Sequence, residues 1–93
     1  MNKYEQSFIK WFRKDGWMIR ANGPEVKVWC ADCDDTCRFK VTEGMIKRLL
    51  AEGVIHMIFP KDEPSWLDCY QLSDKYEYMR KDEFETAISK PVA

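Results

Sequence analysis

Four cysteines and one histidine are the side chains of this 93-residue chain whose types and spacing are best suited to chemistry. Three of them stand close together in the phrase Cys30-Ala-Asp-Cys33-Asp-Asp-Thr-Cys37. A C-x2-C knuckle lets two thiolates meet one zinc ion, and a third thiolate across a hairpin makes a third corner of the tetrahedron. Cys69, or the lone His56, is left to arrive as the fourth ligand. The order is the reverse of the C-x3-C-x2-C of radical enzymes, and no fourth clustered cysteine suggests a ferredoxin-type iron–sulfur centre. Set against this is the plainer reading that buried thiols behave as small hydrophobes. We therefore expect no cofactor, with a structural zinc on Cys30, Cys33, Cys37 and Cys69 as the sharper alternative and a redox or disulfide role as a third.

Catalytic constellations are scarcer. His56 has no serine or cysteine nucleophile in a recognisable neighbourhood, and a lone histidine in an apolar strand reads as structural. Asp32, Asp34 and Asp35 form a small acidic loop, but the twelve-residue ligand pattern of an EF-hand is missing. Neither GxxxxGK[ST] nor GxGxxG occurs, so no phosphate loop is expected and the chain reads as a non-enzyme.

The elements that must position these residues follow from periodicity. Tyr4, Phe8, Trp11 and Phe12 recur at helical spacing and predict an N-terminal amphipathic helix with an aromatic inner face, ended at Asp15-Gly16. The rhythm then becomes two. Trp17 and Ile19 alternate with Met18 and Arg20, and Asn22-Gly23-Pro24 marks a turn. Val26, Val28 and Cys30 then form one face of a second strand, and Cys37, Phe39 and Val41 one face of a third. One register pairs Val26 with Val41, Val28 with Phe39 and Cys30 with Cys37, and sets Trp29 across from Arg38 as a cation–aromatic pair.

Met45, Ile46, Leu49 and Leu50 make the stripe of a central helix, with Thr42 as N-cap, Glu43 at its positive end and Gly53 as left-handed terminator. Val54 to Phe59 and Leu67 to Leu72 read as a hairpin around the turn-rich Pro60 to Ser65, with Cys69 opposite Ile58. A last helix starts at Ser73 or Asp74, with Tyr76, Met79, Glu83, Ala87 and Ile88 on one side. The expected fold class is α+β: N-terminal helix, three-stranded antiparallel meander, central helix, two-stranded hairpin and C-terminal helix, in one domain over 1–93 with a frayed tail at 90–93.

The stretches Leu49-Leu50-Ala51-Glu52-Gly53-Val54-Ile55 and Tyr70-Gln71-Leu72-Ser73-Asp74-Lys75 resemble the recognition helix and wing of winged-helix DNA-binding domains of the MarR and PadR kind. The resemblance covers residues 41–75 and implies a winged-helix-like second half. It implies a DNA-binding regulator in which the helix at 43–52 presents Lys47 and Arg48 and the loop at 60–66 acts as the wing. Arg38, Lys40, Lys47, Arg48 and Lys61 would be the nucleic-acid contacts.

Charge favours a different partner. The net charge of −1 is poor for a strong nonspecific polyanion binder. Acidic residues gather at Asp32, Asp34, Asp35, Asp62 and Glu63, where carboxylates suit an arginine-rich surface, and Trp29 and Trp66 are natural anchors. By compositional analogy the leading expectation is a small protein-binding inhibitor. It is of the anti-CRISPR-like kind that phages and mobile elements direct against a host protein or nucleoprotein complex, with DNA as the alternative partner. No apolar run approaches the roughly twenty residues of a membrane span, and the N-terminus lacks the apolar core of a signal peptide. No membrane association and a cytoplasmic location are expected.

Overall fold

In the computed structural model, the structure describes residues 1–30, 39–62 and 68–89. The elements are α1 (Lys3–Asp15), β1 (Gly16–Asn22), β2 (Glu25–Cys30), α2 (Glu43–Ala51), β3 (Ile55–Ile58), β4 (Asp68–Leu72), α3 (Asp74–Glu77) and α4 (Lys81–Ser89). The α+β class holds, and Glu25–Cys30 is a strand.

A reciprocal cap starts α1. The Asn2 side chain accepts from the Glu5 backbone N–H at 2.8 Å while the Glu5 carboxylate accepts from the Asn2 N–H at 3.1 Å, satisfying two amides that have no partner inside the helix. Phe8, Ile9 and Phe12 are its buried face, whereas Tyr4 of the expected aromatic stripe is 46% exposed. The chain passes at Gly16 directly into β1 and turns back through Gly23-Pro24. Gly23 sits at φ 61°, as the first position of a two-residue hairpin turn of this hand requires.

The expected three-stranded meander is not found. β2 pairs with β1, setting Val28 opposite Ile19 and Val26 opposite Ala21. Residues 39–41 lie outside any strand, and Phe39 packs instead into the aromatic seam of α1. Its ring lies 5.7 Å from Tyr4, 5.7 Å from Phe8 and 6.0 Å from Trp11. Apolar alternation in β2 was real, but it reports a buried face and does not say which strand lies alongside. Cys37 and Arg38, the other halves of the expected pairs, lie outside the described residues.

The second neighbour of β1 is β4, paired through Ile19–Tyr70, Arg20–Cys69 and Ala21–Asp68. β3 completes an antiparallel sheet of order β2-β1-β4-β3. Within the second hairpin Ile58 stands opposite Cys69, the expected register.

Thr42 caps α2, its hydroxyl accepting from the Met45 N–H at 3.2 Å. At the other end the N–H groups of Gly53 and Val54 donate to the carbonyls of Leu50 and Leu49, each at 3.0 Å. This double closure needs the left-handed backbone that Gly53 supplies at φ 72°. Ser73 then ties the helix end to β4 by donating from its hydroxyl to the Gly53 carbonyl at 2.8 Å.

The single C-terminal helix of the sequence reading is two helices, α3 and α4. A continuous helix would turn Glu83 toward the core along with Tyr76 and Met79. With the break, Phe84 and Ile88 become the buried face of α4, and Glu83 stays at the surface, where Arg80 pairs with it at 2.7 Å. The core lies between one face of the sheet and α1, α2 and α4, around Phe8, Phe12, Ile19, Leu49, Tyr70 and Phe84. No helix of the described residues is long and apolar enough to cross a membrane.

Candidate functional site on the outer face of the sheet

Strand register sorts the side chains of the sheet onto two faces. Val26, Val28, Ile19, Ala21, Tyr70, Leu72 and Ile55 point to the helices. On the opposite, outer face lie Trp29 across from Met18, Lys27 across from Arg20, Arg20 across from Cys69, and the pairs Ile58–Cys69 and His56–Gln71. Met18 and Cys69 are buried on that face, apart from the helix-side core.

Above them the face is aromatic and open. Trp29 is 45% exposed, Trp17 54% and Phe59 87%. The Arg20 guanidinium carbon lies 5.3 Å from the centre of the Trp29 ring. Arg20 reaches Trp29 from the neighbouring strand, and the expected Trp29–Arg38 pair lies outside the described residues. Trp17, Met18, Ile58, Phe59, Pro60, Asp62 and Gln71 surround a cleft of about 290 Å³. Trp17 reaches it because β1 is irregular between Gly16 and Met18, which takes Trp17 out of the pairing.

Of the residues expected to bind protein, Trp29 and Asp62 are exposed on the described surface, and Asp62 borders the cleft. Asp32, Asp34, Asp35, Glu63 and Trp66 lie outside the described residues. Trp17 and Phe59 were missed as contact residues. The sequence reading runs this strand through Phe59, yet β3 ends at Ile58. The neighbouring Pro60, which cannot donate to a ladder, was the available signal.

Two of the expected nucleic-acid contacts, both on α2, are paired with carboxylates. Arg48 is held by Glu5 at 3.0 Å and Lys47 by Glu43 at 3.4 Å. Lys40 is exposed and its backbone N–H donates to the Tyr4 hydroxyl. Lys61 is exposed in the turn after β3, next to Asp62, and Arg38 is outside the described residues.

For a metal, the backbone of Cys30 pairs with Gly16 at one end of the β1–β2 ladder, whereas Cys69 pairs with Arg20, which also faces Lys27. The Cys30 and Cys69 backbones thus belong to two strands that flank β1. Cys33 and Cys37 are outside the described residues, and among the described residues no three of His, Cys, Asp and Glu converge as a metal site.

The chain matches no protein-family model, no curated protein and no solved structure.

Proposed function

We propose that this chain is a small non-enzymatic protein-binding module that docks on an arginine-bearing surface of a nucleic-acid-handling complex, as an inhibitor of the anti-CRISPR-like kind. One observation carries the reading: Trp17, Phe59 and Asp62 border a single open cleft on the outer face of the sheet. A guanidinium is planar, weakly hydrated and always charged, so it stacks on aromatic rings while its edge pairs with a carboxylate. Such a stacked contact contributes about 0.5–1 kcal/mol at an exposed site and about 2 kcal/mol once water is excluded. Exposed tryptophans beside that cleft are the side chains that dominate interface energies.

The test is affinity purification from host lysate, with and without nuclease, comparing the native chain with a Trp17→Ala, Phe59→Ala, Asp62→Asn variant. The native chain should retain one protein in stoichiometric amount under both conditions, and the folded variant should lose it. Recovery of no such protein, or equal recovery by the variant, discards the reading.

A winged-helix-like DNA-binding regulator is the second reading. It draws support from α2 leading straight into the β3–β4 hairpin and from Lys47, whose side chain is 73% exposed. The Glu5 and Glu43 pairings weaken it, because each cation would have to exchange a carboxylate for a phosphate. Duplex binding lost on Lys47→Gln would move this reading to first place.

A further inference from the structure

On the helical side of the molecule, α1 and α4 flank a second cleft of about 460 Å³, lined by Lys10, Arg13, Lys14, Lys81, Phe84 and Glu85. We infer that this basic cleft is a contact site for the phosphodiester backbone of a nucleic acid, with Lys10, Lys14 and Lys81 as the phosphate-binding cations.

Three observations carry this. Lys10 and Lys14 are one helical turn apart on α1 and so share a face, while Lys81 comes from the start of α4 and joins them only because both helices pack on the same core. Four cations then face one carboxylate, Glu85, in a chain whose net charge is −1. Like charges brought together repel, and Lys81 gains nothing from its helix, since the dipole disfavours cations in a first turn.

Second, Lys10, Lys14 and Lys81 are all exposed, and among the described residues none of them forms an ion pair. That separates them from Lys47 and Arg48 on α2.

Third, Arg13 is already committed. Its guanidinium carbon stands 4.5 Å from the centre of the Phe84 ring, and its Nη2 donates to the Met79 carbonyl. Arg13 is therefore part of the cleft wall, and what remains are three ammonium groups, which bind phosphate oxygens as point charges. The volume lies within the range of clefts that hold a nucleotide-sized group.

The test is fluorescence anisotropy of labelled single-stranded and duplex oligonucleotides with the full chain, at about 50 and about 200 mM salt. Three phosphate contacts predict an affinity loss of about 20-fold (single strand) to about 40-fold (duplex) between the two salts. Joint Lys10→Gln, Lys14→Gln and Lys81→Gln substitution should weaken binding at low salt at least about tenfold, and the same three positions as arginine should restore it. Lys47→Gln should leave it unchanged. Should the triple variant melt early, Lys10→Gln and Lys81→Gln singly carry the test, each lowering the salt slope by about one. The inference is overturned by absence of binding at low salt, by full binding in the glutamine variants, or by loss of binding through Lys47→Gln. Polyglutamate competing as well as the oligonucleotide would likewise overturn it and give the cleft to an acidic protein. Failure of the aromatic-cleft reading leaves these outcomes untouched, because Trp17, Phe59 and Asp62 take no part in them.

Discussion

The Nε of Arg48 on α2 donates to the Glu5 carboxylate on α1 at 3.0 Å, and Glu5 is only 3% exposed. The same carboxylate accepts from the Asn2 N–H in the helix cap, so one buried side chain both starts α1 and clamps it to α2. Removing the guanidinium would leave a buried carboxylate without its counter-charge. Because Arg48 itself is largely exposed, the loss is smaller than for a fully buried pair. Arg48→Ala should destabilise the fold by about 1–2 kcal/mol, read as a lower urea midpoint at unchanged slope. An unchanged midpoint would show that the pair contributes nothing.

Gly16 has no room for a side chain. A Cβ there would run into the Phe12 ring and meet the Phe12 carbonyl oxygen at 2.8 Å, and Phe12 is in the core. Gly16→Ala should cost about 1–3 kcal/mol by overpacking and lower Tm accordingly. A variant as stable as the native chain would mean that α1 and β1 separate here more easily than the packing implies.

Burial of its phenol raises the pKa of Tyr70, and the charges of Asp68, Cys69 and Glu43 raise it further. The folded state therefore holds the proton more tightly than the unfolded state, whose value is about 10. That stabilising contribution is fully present below about pH 10 and is lost as pH rises through the raised folded value. Urea unfolding at about pH 8 and about pH 11 should show a larger alkaline loss for the native chain than for Tyr70→Phe. Equal losses would place the alkaline sensitivity on other groups.

Exposure separates surface aromatics from core ones. Trp17→Ser and Phe59→Ser should each change stability by no more than about 0.5 kcal/mol. Phe84, 2% exposed and covered by Arg13, should lose about 3–5 kcal/mol on truncation to alanine. Thermal melts of the three variants check the contrast. A large loss at Trp17 or Phe59 would make these rings structural and withdraw them from the proposed interface.

Much of the fold was legible before any coordinates. Thr42, Gly53 and Asn22-Gly23-Pro24 act within a few residues of themselves, and each did what its chemistry implied. The pairing of Ile58 with Cys69 followed from a hairpin, which is also local. The candidate sites were less legible. Alternation places Phe39 in a strand, whereas the fold puts it in an aromatic cluster with α1. The Arg48–Glu5 pair joins two helices far apart in the chain and has no local signal.

What the sequence by itself determined is where elements begin, end and turn, because caps, left-handed glycines and alternation are interactions between near neighbours in the chain. Tertiary structure alone decided the partner of each element: β4 rather than a third consecutive strand beside β1, Trp17 beside Phe59, and Lys81 beside Lys10 and Lys14. The physical reason is that an apolar face specifies only that it must be covered. Which surface covers it is settled by competition among all such faces at once, and the charged and aromatic side chains left outside are brought together by the outcome.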